Sequence, residues 1–118
     1  MPALHHPPAD ALRARLAVQL RATMKARDQI TVATLRSVLA ALDNASAVAE
    51  TTAHVPVIGL SGDVPRAELT VQDIDRILKA ETTEREIAAA DYQRRGLEDG
   101  AARLRAEIAI IARIVAGE

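Results

Sequence analysis

The sequence predicts an all-α domain, a small bundle of four main helices arranged as two antiparallel pairs around a variable loop. Three observations predict it: four aliphatic stripes at helical spacing, capping residues where those stripes begin, and a glycine stop between the last two. Composition agrees. Nearly half of the 118 residues are apolar, but the chain has one Tyr and neither Phe nor Trp. The core must therefore be built from Ala, Leu, Ile and Val, whose slim faces let helix axes approach closely. A chain of this length is expected to form one domain with one core.

The first nine residues, with Pro2, Pro7, Pro8 and the pair His5-His6, are expected to be a flexible arm. Asp10 is the expected cap of the first helix, because its carboxylate can accept from the exposed amides of the first turn. Leu12, Leu16, Leu20 and Met24 recur every four residues over 11–26 and mark the buried stripe. Asp28 is the expected cap of the second helix, in which Ile30, Leu35, Val38, Leu39 and Leu42 supply apolar surface; Thr31, Val32 and Thr34 weaken its propensity. So short a connection predicts an antiparallel hairpin over 10–44.

From Ser46 the helical period dissolves into small and turn-forming residues, including Pro56, Gly59, Gly62 and Pro65, so 46–69 is expected to be a variable loop. Residues His54 to Ile58 and Val64 can form at most a short edge hairpin, because Pro56 lacks a donor. Thr70 and Asp73 have the spacing of a capping box for a third helix over 71–94. Ile74, Ile77, Leu78, Glu81, Arg85 and Ala88 then follow at roughly helical spacing. Gly96 is the expected left-handed stop, with Leu97 folding back onto Tyr92. Glu98 and Asp99 suit the positive start of the fourth helix, where Leu104, Ile108, Ile111 and Val115 form a stripe that Ile110 and Ile114 widen. The two pairs, 10–44 and 71–116, are expected to pack on each other.

The candidate chemical sites are few. Zero Cys removes disulfides, thiol nucleophiles and thiolate metal sites, and fits a reducing cytoplasm, the expected location. His5-His6 on a proline-bearing arm do not present a fixed pair of metal ligands, and His54 has no triad partners at a useful spacing. Gly59-Leu60-Ser61-Gly62-Asp63 lacks the Lys and Ser/Thr of a phosphate loop. Glu81, Glu84, Glu86 and Asp91 interleave with Lys79 and Arg85, which reads as a solvated, ion-paired face. No window approaches a membrane span. No catalytic residue, metal or cofactor is expected.

Charge is uneven. Residues 1–49 carry six basic and three acidic side chains, a net +3; the rest carries nine and thirteen, a net −4. A polyanion-binding surface accounts for this, and so do ordinary solvated helix faces. With a bend near Arg27, Arg36 lies about two turns beyond it and roughly level with Arg21, so Arg21, Lys25, Arg27 and Arg36 are the candidate RNA-binding residues. Tyr92 as sole aromatic leaves no platform for stacking bases.

The run from Met24 through Asp28 to Leu42 resembles the GatB/YqeY family. So do Leu69-Thr70-Val71-Gln72-Asp73, Ala90-Asp91-Tyr92-Gln93-Arg94-Arg95-Gly96 and Ala106-Glu107-Ile108. The similar segments span most of 11–115. GatB is the tRNA-binding subunit of the glutamine-dependent amidotransferase that corrects misacylated tRNA, and YqeY proteins look like its tail as free-standing chains. The resemblance implies a non-catalytic helical accessory module associated with tRNA or other structured RNA. Longer members continue into a second small helical domain, which is expected to be absent here. The alternative is a protein-interaction or homodimerising module that docks through the apolar arc of the fourth helix, with Ile110, Ile114 and Val115 as candidate interface residues.

Overall fold

A computed structural model describes residues 7–53 and 68–118. These residues form four helices: α1 Pro8–Lys25, α2 Gln29–Ala53, α3 Val71–Arg94 and α4 Glu98–Val115. The all-α bundle of two helical hairpins is as the sequence predicts. His5, His6, His54, the candidate edge hairpin and the glycine-bearing 59–63 stretch lie outside the described residues. Among the described residues no helix is long and apolar enough to cross a membrane.

Two boundaries differ from expectation. The first helix begins at Pro8, with Pro7 as N-cap and no side-chain cap. Proline suits this position because the amide it lacks would have no intrahelical partner, and its φ is already helical. Asp10 is therefore not the cap; it lies inside the first turn, 3.2 Å from the Arg13 guanidinium. Ala9 is buried in the core rather than part of an arm. The second correction is larger, because α2 continues to Ala53 through residues predicted as loop. Small residues hid the helix. Ala45 and Ala49 pack against the core, and alanine has the strongest helix propensity of any residue. Arg13 of α1 also ties this stretch down, donating to Asp43 Oδ1 at 3.0 Å, to the Leu42 carbonyl at 3.3 Å and to the Ser46 hydroxyl.

The core lies where all four helices converge. Leu16, Leu35, Val38, Leu42 and Ile111 are almost fully buried, joined by Leu12, Ile74, Leu78, Ile110 and Ile114. Thr34 is equally buried, and its hydroxyl donates to the Ile30 carbonyl at 2.8 Å, which is how α2 carries a polar side chain into the core without an orphaned group. The stripe of α1 ends at Leu20, since Met24 is half exposed. In α4 the predicted stripe is displaced. Ile110, Ile111 and Ile114 face inward, whereas Leu104 and Ile108 are only partly covered and Val115 is exposed.

Both hairpins turn through the same backbone motif. After α3 the Gly96 amide donates to the Gln93 carbonyl at 3.1 Å and the Leu97 amide to the Tyr92 carbonyl at 2.9 Å, with Gly96 at φ 76°. After α1 the Arg27 amide donates to Met24 and the Asp28 amide to Thr23, at 3.1 and 3.0 Å, with Arg27 at φ 58°. Each is the paired-bond ending that satisfies two of a helix's last carbonyls through one left-handed residue. The Gly96 stop is as predicted. The Tyr92 ring lies against Gly100, where an added Cβ would meet it at 2.8 Å, so Gly100 gives the ring room. The end of α4 repeats the motif at Gly117, and α1 receives it: Arg15 donates to the Ile114 carbonyl at 3.0 Å. A cation there also complements the negative end of the helix dipole.

Side chains cap both α2 and α3, and the cap of α3 is reciprocal. Asp28 accepts from the Thr31 hydroxyl at 2.6 Å and the Thr31 amide at 3.2 Å. Thr70 and Asp73 form the predicted box, each side chain accepting from the other's backbone amide at 2.8 and 3.1 Å. Both carboxyls are held below their ordinary range, Asp28 chiefly by the Thr31 hydroxyl and then its amide, Asp73 chiefly by the Thr70 amide and then its hydroxyl.

One sequence reading holds in part: Glu81 and Arg85 pair as expected, but their surroundings differ. Glu81 and Arg85 are not on a solvated face. With Ser37 of α2 and Glu107 of α4 they form a nearly enclosed network, the three charged side chains being only 11–16% exposed. Arg85 donates to the Ser37 hydroxyl and to the Glu81 carbonyl, both at 3.0 Å, and Ser37 donates to Glu81 Oε1 at 3.1 Å. Glu107 faces Arg85 Nε at 3.6 Å, an ion pair slightly too long for a hydrogen bond, which leaves that buried nitrogen without an acceptor.

Two outcomes are expected. Arg85→Ala strands two enclosed carboxylates and should lower stability by about 3 kcal/mol, whereas Ser37→Ala should lower it by about 1 kcal/mol. Replacing Glu81, Arg85 and Glu107 together by Leu, Met and Leu should recover most of the Arg85→Ala loss; urea denaturation followed by circular dichroism reads all three. On pH, a depressed folded pKa means that the Asp28 and Asp73 caps stabilise fully above their unfolded value of about 3.9 and lose that contribution as pH falls through the lower folded values. The Asp28→Asn/Asp73→Asn protein should therefore show a smaller drop in urea midpoint between about pH 7 and about pH 2 than the natural chain.

Candidate nucleic-acid interface

The candidate cations belong to the first hairpin. Arg21 and Lys25 are exposed on the last turns of α1, Arg27 is the left-handed residue of the turn, and Arg36 is exposed on α2. Their exposure follows from the core register: Leu12, Leu16 and Leu20 point inward from α1, and Leu35, Val38 and Leu42 from α2, which places these arginines and lysine on outer faces.

The structure brings two of the four together. Arg27 and Arg36 line one open groove with Met24, Gln29, Val32 and Ala33. An Arg36 Nη nitrogen approaches Met24 Sδ at 3.9 Å, a weak donor contact that leans the guanidinium over the groove. Arg21 and Lys25 do not line it. Among the described residues Arg21, Lys25 and Arg27 have no side-chain hydrogen bond or ion pair. The guanidinium forks of Arg21 and Arg27 suit phosphate, with which each can form two parallel hydrogen bonds, and Lys25 adds a point charge.

A carboxylate stands next to the turn. Asp28 adjoins Arg27 in sequence, but both of its oxygens accept from Thr31. Arg113, in the last turn of α4, is close enough for its charge to lower the Asp28 pKa further, so a fifth cation belongs to this end of the bundle. Sequence reading missed it. Arg113 lies in the acidic half of the chain, and no local signal shows that α4 ends beside the first turn.

The candidate interface residues separate. Ile110 and Ile114 are 7% and 3% exposed and belong to the bundle's own core, which corrects the expectation that they form an outward-facing stripe; Val115 is 60% exposed. Ile110 and Ile114 flank the fully buried Ile111 on the face of α4 that joins the shared core.

The turn yields a prediction of its own. A side chain on a left-handed residue brings Cβ against the following carbonyl, a strain of about 1 kcal/mol that glycine relieves. Arg27→Gly should raise stability by about 1 kcal/mol, and Arg27→Ala, which keeps the Cβ, by less than about 0.5 kcal/mol; the difference is read from paired urea titrations. No protein-family model, curated protein or solved structure matches this chain.

Proposed function

We propose that this chain is a non-catalytic helical accessory module of the GatB/YqeY type, associated with tRNA or other structured RNA. Through that resemblance it is linked to glutamine-dependent amidation of tRNA. The observation that carries the reading is the cationic end of the first hairpin: Arg21, Lys25 and Arg27 without partners among the described residues, and Arg36 held over the same end by Met24. On a chain of net charge −1, this is where a polyanion meets the weakest repulsion. Binding of this kind is through phosphates and shape. Four cations release few counterions, and a single Tyr, on α3, adds no stacking platform.

The expected behaviour is weak and salt-sensitive association, with Kd on the order of 10–100 µM at low salt and similar values for RNAs of different sequence. Charge reversal at Arg21, Lys25 and Arg36 should weaken binding of all RNAs alike and flatten the salt dependence, as followed by fluorescence anisotropy with labelled tRNA. A natural chain that binds no RNA even at low salt would end the RNA reading.

A further inference from the structure

We infer that Arg27 is the principal phosphate contact of this module, and that Arg27 and Arg36 act as a pair across one groove to grip a single RNA backbone; this rests on the RNA reading above. The argument starts from the two turns. They share the same paired hydrogen bonds and the same left-handed position, filled by Gly96 in one and Arg27 in the other. Glycine is the residue such a position favours, because a Cβ there works against the backbone. Fold stability therefore does not call for arginine at position 27. Nor do tertiary contacts, since its guanidinium has no partner among the described residues. A residue that strains its own turn and gives the fold nothing in return is explained by what it presents outward.

What it presents is a fork at the apex of the hairpin, facing the groove that Arg36 closes from α2. Between them Met24, Val32 and Ala33 line the groove with apolar surface and offer no ring to stack on, and Gln29 is the one uncharged polar side chain in the lining. Such a groove holds a sugar-phosphate strand: phosphates at its two cationic edges, the sugar over the apolar floor, and the bases turned away. The phosphate and sugar contacts carry no sequence information, and Gln29 is the uncharged lining side chain able to hydrogen-bond a base edge. Arg21 and Lys25, outside the groove, add long-range attraction without direct contact.

The test compares single neutralisations in the full chain, with a labelled tRNA as probe and the thermal midpoint measured alongside. Arg27→Gly should weaken binding about tenfold while raising the midpoint by a few degrees, a combination that loss of folding cannot produce. Arg36→Gln should weaken binding to a similar extent, and each of these two changes should lower the salt slope by about one. Arg21→Gln and Lys25→Gln should each weaken it less than about threefold. If Arg27→Gly binds as tightly as the natural chain while the Arg21 and Lys25 variants lose binding, the paired groove is wrong and the RNA reading stands. If the natural chain binds no tRNA at low salt, both fall.

Discussion

A core without a single aromatic ring is the constraint from which the rest of this structure follows. Burying enough apolar surface with Leu, Ile, Val and Ala alone requires contributions from every helix at one point, because each aliphatic side chain offers less area than a ring. Leu16 of α1, Leu35, Val38 and Leu42 of α2, and Ile111 of α4 meet there with almost no exposure, and Ile74 and Leu78 of α3 close the side. The same requirement explains why α2 is longer than its large apolar residues indicate. Ala45 and Ala49 extend the contact by close approach rather than by bulk.

Such slim helices carry little steric information about how far each may slide along its neighbour, and polar contacts supply it. Arg85 reaches Ser37 on α2 and Glu107 on α4 from one position on α3, so its enclosed guanidinium fits only one arrangement of the three helices. Arg13 does the same for α1 against α2, and Arg15 for α1 against the end of α4. Buried charge is a weak source of net stability, because desolvation offsets most of the attraction. Its value here is the alignment of helices that apolar contacts alone leave free to shift.

The turns link this scaffold to the proposed site. Two three-residue connections with identical hydrogen bonding hold two hairpins, and only the first places an arginine on the left-handed residue. Asp28 turns both oxygens to Thr31 rather than to Arg27, so the turn caps α2 while the Arg27 guanidinium stays without a direct partner among the described residues. Stability of the helix start and availability of Arg27 are therefore compatible within adjacent residues.

Sequence alone determined the fold class, the two hairpins, the Thr70–Asp73 box, the Asp28 cap and the Gly96 stop, because each depends on residues within one or two turns of each other. It also marked Arg21, Lys25, Arg27 and Arg36 as a set, from charge and distance to a bend. Only the tertiary structure decided which of them share a groove, since that depends on how α1 leans against α2 around Met24. It alone showed that Ile110 and Ile114 turn into the bundle, that Arg113 comes within electrostatic reach of Asp28, and that Glu81 and Arg85 are enclosed. Their placement at core-facing spacing beside Ile77, Leu78 and Ala88 was visible in the sequence, but a charged residue at such a spacing reads equally as the edge of a solvated face. What settles it is a partner more than forty residues away, Ser37, which no local pattern can supply.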